Sequence, residues 1–136
     1  MSAYKEFSNI QFANGELLVK ALAELGLRPR IGQGLALHGY QGDVRQQRAQ
    51  IVVDRQQIGT SSNDLGFAWN GQAFVPIISE YDARRVLNEE WRQKLQATYA
   101  KLAILQFLGS KGAAIGTISQ LDDGSLAFTA TVEVQR

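Results

Sequence analysis

Asn70-Gly71 separates two short apolar runs, Leu65-Gly66-Phe67-Ala68-Trp69 and Ala73-Phe74-Val75-Pro76-Ile77-Ile78. A two-residue type I′ turn needs positive φ at both central positions, which Asn tolerates and Gly adopts freely, so the passage predicts a β-hairpin. That register would pair Trp69 with Gln72, Phe67 with Phe74 and Leu65 with Pro76 on an aromatic face. Gly66, Ala68, Ala73 and Val75 would form a small-residue face that lets a second layer approach closely. Pro76 lacks an N–H, which predicts a strand at a sheet edge or one that ends there.

Around this hairpin the chain alternates helical and extended patterns. Tyr4 to Ala13 reads as a first strand, carrying Tyr4, Phe7, Ile10 and Phe12 without a breaker. Asn14 is a natural N-cap for a helix over residues 14–26, in which Leu17, Leu18, Ala21, Leu22 and Leu25 share one face and Gly26 supplies the left-handed stop. Leu35 to Tyr40 suggests a short strand among glycines, Gln41 to Gln47 a polar loop, and Ala49 to Asp54 a β-branched strand. Gln56 to Asp64 has the small, polar composition of a mobile surface connection. Ser79 or Asp82 opens a long helix over about 83–108, with Leu87, Trp91, Leu95, Tyr99, Leu102 and Leu105 recurring by three and four. The chain closes with a hairpin, Ala113 to Leu121 and Ser125 to Val134, turned at Asp123-Gly124; its expected pairs are Leu121 with Leu126, Ser119 with Phe128, Thr117 with Ala130 and Ile115 with Val132.

This order implies an α+β fold: an antiparallel sheet of about five to seven strands with two helices on one face, the second helix long. A chain of 136 residues, 45% hydrophobic and 20% charged, suits a single domain spanning 1–136. It holds no cysteine, which removes thiolate chemistry, disulfide frameworks and Cys-type metal sites. Met1-Ser2-Ala3-Tyr4-Lys5-Glu6 lacks the basic start and apolar stretch of a signal peptide, and no apolar segment reaches membrane-spanning length, so the expectation is a soluble cytoplasmic protein.

Functional chemistry is sparse. Net charge is +1, which argues against a dedicated nucleic-acid binder, although Arg28, Arg30, Arg45, Arg48 and Arg55 face only Asp43 and Asp54 within their stretch. His38 is the lone histidine, with no nucleophile signature nearby. Gly32-Gln33-Gly34 and Gly109-Ser110-Lys111-Gly112 match neither phosphate-loop fingerprint. The reading is therefore of a protein that is not an enzyme, with no catalytic residue, cofactor or metal.

Three passages in order, Leu37-His38-Gly39-Tyr40-Gln41-Gly42, Leu65-Gly66-Phe67-Ala68-Trp69-Asn70-Gly71 and Leu95-Gln96-Ala97-Thr98-Tyr99-Ala100, give the chain a family likeness. It resembles the hypothetical chloroplast reading frame thirty-five family, small proteins of cyanobacteria, red-algal plastids and some other bacteria, over most of its length. The match departs at Gln56 to Asn63, which is longer than the usual link, and at Val75 to Arg85, which lacks an acidic and aromatic run. The resemblance implies a soluble cytoplasmic or stromal protein without established enzymatic activity, in an accessory part in photosynthetic complex assembly or stress physiology.

The first functional reading is an adaptor that binds another protein, with Tyr40, Gln41, Trp69 and Asn70 as contact residues, because aromatic rings at loops give large contact area at low entropy cost. Trp69 shares its predicted face with Phe67 and Phe74, so burial of the ring stays open at this point. The alternative is a small-molecule or nucleotide-binding domain with a pocket near Tyr40, His38 and Arg45 to Arg55. Apolar hairpin edges also leave room for a homodimer.

Overall fold

The computed structural model describes residues 2–110 and the backbone of 113–120 and 126–132. Five antiparallel strands form the main sheet, in the order β1-β5-β4-β3-β2: β1 Tyr4–Glu6, β2 Arg30–His38, β3 Val44–Val53, β4 Leu65–Trp69 and β5 Phe74–Ser79. Helix α1 (Gly15–Glu24), the single turn α2 (Glu80–Ala83) and the long α3 (Glu89–Ser110) complete residues 2–110. Strands β6 (Ala113–Gln120) and β7 (Leu126–Val132) pair only with each other. The fold is α+β, as the alternation of patterns predicts.

Helix α1 matches its sequence signals closely. The Asn14 side chain accepts the Leu17 N–H at 3.2 Å, and Gly26 takes φ of 83° just beyond the last turn. Leu17, Leu18, Ala21 and Leu22 are buried, the last three in a core with Ile51, Val53, Leu65, Phe67 and Ile78 from the sheet. Leu95 joins that core from α3, with Trp91, Tyr99 and Leu102 packed around it, whereas Leu105 projects outward. Phe12 fills the centre, edge-to-face with Phe67 at 6.0 Å and Tyr99 at 5.0 Å.

Several expectations are corrected. The first strand stops at Glu6, and Phe12 makes only an isolated bridge to Phe74. The Asn70-Gly71 hairpin pairs Trp69 with Phe74 and Phe67 with Pro76, two residues from the expected register. Asn70 keeps a negative φ and its Oδ1 accepts the N–H groups of Gln72 and Ala73, so a longer loop closed by an Asx-type contact replaces the type I′ turn. A shift of two preserves the faces, which is why the aromatic grouping survives. Pro76 lies inside β5 rather than at a sheet edge, and its carbonyl accepts the Phe7 N–H just past the last β1 pair, Glu6 with Ile77; the missing N–H would point the same way, so no bond to β4 is lost, and the Phe7 carbonyl accepts the Ile10 N–H instead.

The long helix is interrupted. Ser79 caps α2, Arg85 and Leu87 donate backbone N–H groups to the Asp82 carbonyl, and Asn88 recaps the chain by accepting the Trp91 N–H, so α3 begins at Glu89. Arg92 takes up the carbonyls freed by the break, at Leu87 (2.6 Å) and Ala83 (3.2 Å). In the closing hairpin Gln120 pairs with Leu126 and Ile118 with Phe128, one residue from the expected register, and beyond an irregularity between Ile115 and Thr117 the pairing of Ile115 with Ala130 is two residues from it. Its Asp123-Gly124 turn and Leu121 lie outside the described residues.

The β2–β3 hairpin departs furthest from its sequence reading: both strands extend through the expected loops, and the pair folds over. Gly32 to Gly34 oppose the single Gln50, and Arg45 to Gln47 oppose the single Leu37. Gly34 adopts φ of 59°, and one Arg48 guanidinium nitrogen binds the carbonyls of Arg45, Gln46 and Gln47, gathering the second irregularity. The outer half then covers the sheet face opposite the helices. Leu37 is fully buried against Ala49, Val52 and Ile77, and it reaches β4 although β3 lies between. A flat sheet would hold those strands about 10 Å apart. A Cβ built on Gly66 would meet both Leu37 methyl groups at 3.0 Å and the Ala49 Cβ at 3.2 Å, so this closure needs glycine for want of space. Gly66→Val is expected to lower the urea midpoint, costing about 2 kcal/mol through overpacking; an unchanged midpoint would show that the hairpin does not seat on β4.

Candidate functional site

Two places collect the residues that could serve a function. One is a buried polar knot where the folded-over hairpin meets the segment before β4. Ser62, Asn63 and Asp64 are buried there, the reverse of the expected mobile connection. Asp64 Oδ2 accepts the His38 N–H at 2.7 Å and lies 3.2 Å from the ring Nδ1, while Oδ1 accepts the Arg55 N–H at 2.7 Å. Asn63 Oδ1 accepts the Tyr40 N–H at 3.0 Å, and its amide donates to Ser79 Oγ at 2.8 Å. Asp82 Oδ2 accepts from the Asn63 N–H and the Ser79 hydroxyl, both at 2.9 Å. Neighbouring residues of one chain segment thus hold β2, the turn after β3, the hairpin tip, β5 and α2.

Tyr4 completes the knot from the opposite edge of the sheet, its hydroxyl donating to the Asp64 carbonyl at 2.7 Å. The same hydroxyl lies 3.5 Å from the His38 carbonyl at the end of β2, and a flat sheet would set β1 and β2 about 19 Å apart, so this approach exists only because the sheet curls. Burial pushes the Tyr4 hydroxyl well above its ordinary pKa of 10.0, the Asp64 carboxylate adding to the effect and Arg45, 5.1 Å above the ring, opposing it. Among the described residues, no group of three or more His, Asp or Glu side chains could hold a metal ion.

The other place is an apolar groove of about 660 Å³ between α1 and the outer strands, walled by Val19, Ile31, Ile51, Trp69 and Phe74. Its lining comes from the first turns of α1 and from β2 to β5, with no residue of α3. Trp69 is 44% exposed and its ring lies 5.0 Å from that of Phe74; Ile31 is 68% exposed.

The sequence-selected contact residues fall into separate places. Tyr40 is 42% exposed and lines a different groove with Ser2, Ser61, Asn63 and Tyr81, and Gln41 is exposed beside it at the hairpin tip. Trp69 belongs to the apolar groove, while neighbouring Asn70 is exposed with its side-chain oxygen engaged in the turn. Nor do the arginines gather around Tyr40. Arg45 reaches the Ser2 carbonyl at 2.6 Å, Arg48 binds its own strand, and Arg55 lines a third groove with His38. Asn63, Asp64 and Tyr4 escaped sequence reasoning, since an Asn-Asp pair in a polar stretch signals a turn; only the Ser79/Asp82 capping pattern pointed toward the knot.

A family profile described as "Protein of unknown function (DUF1257)" matches residues 21–129. The chain belongs to that family. No curated protein and no solved structure matches it. The matched span of this DUF1257 member runs from inside α1 to β7, so it takes in the folded-over hairpin, the polar knot apart from Tyr4, and most of the groove. No helix among the described residues is long and apolar enough to cross a membrane.

Asn63→Ala is expected to cost about 2 kcal/mol, because it leaves the Tyr40 N–H without its buried acceptor and removes the amide bond to Ser79, while Ser79 and Asp82 keep each other; a calorimetric melt checks this. Tyr4→Phe should cost about 1 kcal/mol at neutral pH. Because the folded state holds the Tyr4 proton more tightly than the unfolded state, the stability it contributes is complete below pH 10 and is lost as pH rises above 10. The stability gap between wild type and Tyr4→Phe should therefore narrow above pH 10 in denaturant titrations, and a gap that widens would be inconsistent with the raised pKa.

Proposed function

We propose that the protein is a non-enzymatic adaptor that binds another protein through the apolar groove, with Trp69 as its anchor. The observation that carries this reading is the pairing of a 44% exposed tryptophan with a 68% exposed isoleucine across one concave wall. Apolar anchors of this kind supply binding energy out of proportion to their number, provided a partner side chain fills the space and excludes water. Glu16 and Lys20 at the α1 rim can orient such a partner without burying charge. Tyr40 and Gln41, at the hairpin tip, form a second contact for a large partner.

The likeness of Gly39-Tyr40-Gln41-Gly42, Trp69-Asn70-Gly71 and Tyr99-Ala100 to the plastid reading-frame family supports an accessory part in photosynthetic complex assembly or stress physiology in a phototrophic host. Absence of cysteine is compatible with a cytoplasmic or stromal setting. A second reading keeps the groove and changes its occupant: its volume falls within the ~300–1,000 Å³ range of small-ligand sites, which favours an apolar metabolite.

Tagged protein immobilised in host extract, at two salt concentrations, should retain one stoichiometric partner that Trp69→Ala, checked to be folded, releases. Retention by Trp69→Ala removes the groove from the interaction. A melting temperature that climbs with the concentration of an apolar metabolite, and does so only with Trp69 present, would move the assignment to the second reading.

A further inference from the structure

A separate groove of about 350 Å³ opens where the folded-over hairpin meets the 3-10 turn Arg55–Gln57, and it shares no lining residue with the Trp69 groove. Arg30, His38, Asp54, Arg55 and Gln56 border it above the buried Asp64. Asp64 organises the site, because the same carboxylate holds the His38 backbone, the His38 ring and the Arg55 backbone. With Nδ1 facing Asp64, the ring keeps Nε2 for a ligand, and as an imidazolium it donates from both nitrogens, one to Asp64 and the other to an anion. The Arg55 guanidinium has no hydrogen bond or ion pair among the described residues. Arg30 holds Asp54 at 2.9 Å, and both side chains are well exposed, so that pair can open toward solvent.

We infer that this groove binds a phosphate dianion, free or as the head group of a small phosphomonoester, through the Arg55 guanidinium and the Nε2–H of an imidazolium His38, with Arg30 exchanging Asp54 for the ligand. Asp64 does not repel such a ligand as an open carboxylate would, since three protein N–H donors already face its oxygens. Guanidinium groups match phosphate oxygens in geometry as well as charge. The volume stands at the small end of ligand sites, which selects a small metabolite over a nucleic-acid strand or a protein surface.

Titration of the full chain with inorganic phosphate and with glycerol 3-phosphate, at constant ionic strength and followed by amide NMR, tests the site. Expected are saturable shifts centred on His38, Gly42, Asp54, Arg55, Gln56 and Asp64, and an affinity that falls about tenfold or more in Arg55→Gln at unchanged melting temperature. His38→Gln should weaken binding as well. The tighter of the two probes distinguishes free phosphate from an ester. Shifts that never saturate, equal binding of acetate, or undiminished affinity in Arg55→Gln would overturn the assignment. None of these outcomes depends on Trp69, so the adaptor reading stands or falls separately.

Discussion

The Asp64 carboxylate and the adjacent Asn63 amide hold together parts of the chain that hydrophobic contact alone would leave free to slide. Burying a carboxylate in a domain of this size is tolerable only when its oxygens are satisfied, and here backbone and ring N–H groups from His38 and Arg55 do so. Asn63 satisfies Tyr40 and Ser79 in the same place. Apolar packing is non-directional and accepts many registers, whereas these hydrogen bonds accept one. The knot therefore fixes where the hairpin tip lands, and the second face of the sheet acquires its cover from the same chain.

That cover has two consequences. It buries Leu37, Ala49, Val52 and Ile77 without a third helix, and it brings the opposite edges of the sheet together through Tyr4. Curling of this extent needs irregular strands, supplied by the two unequal stretches of the β2–β3 ladder and by space at Gly66. On the other face the Trp69 groove remains open between the first turns of α1 and the outer strands. His38 and Arg55 come together on the far side of the same knot, although seventeen positions separate them in the chain. Both candidate binding places thus depend on the way the hairpin folds, and neither depends on the other.

Local signals were legible wherever the physics is local. The Asn14 cap, the Leu17 to Leu22 face and the Gly26 stop read directly from spacing, because a helix satisfies its backbone within itself. So did the aromatic grouping of Phe67, Trp69 and Phe74, since strand alternation survives a register error of two. The long helix was legible in its Trp91, Leu95, Tyr99 and Leu102 stripe but not in its start, where Asp82 is drawn into the knot and Asn88 takes over as cap.

By itself the sequence determined the α+β class, both principal helices, the faces of β4 and β5 and the presence of an aromatic turn at Trp69, because periodicity and capping act over a few residues. Tertiary structure alone decided that Gln56 to Asp64 ends in a buried knot, that Trp69 stays 44% exposed, and that Tyr40, Trp69 and Arg55 serve three different grooves. The reason is that a polar residue such as Asp64 carries the same preference for a turn whether water or distant N–H groups satisfy its oxygens. Only the folding over of β2 and β3 brings those donors to it.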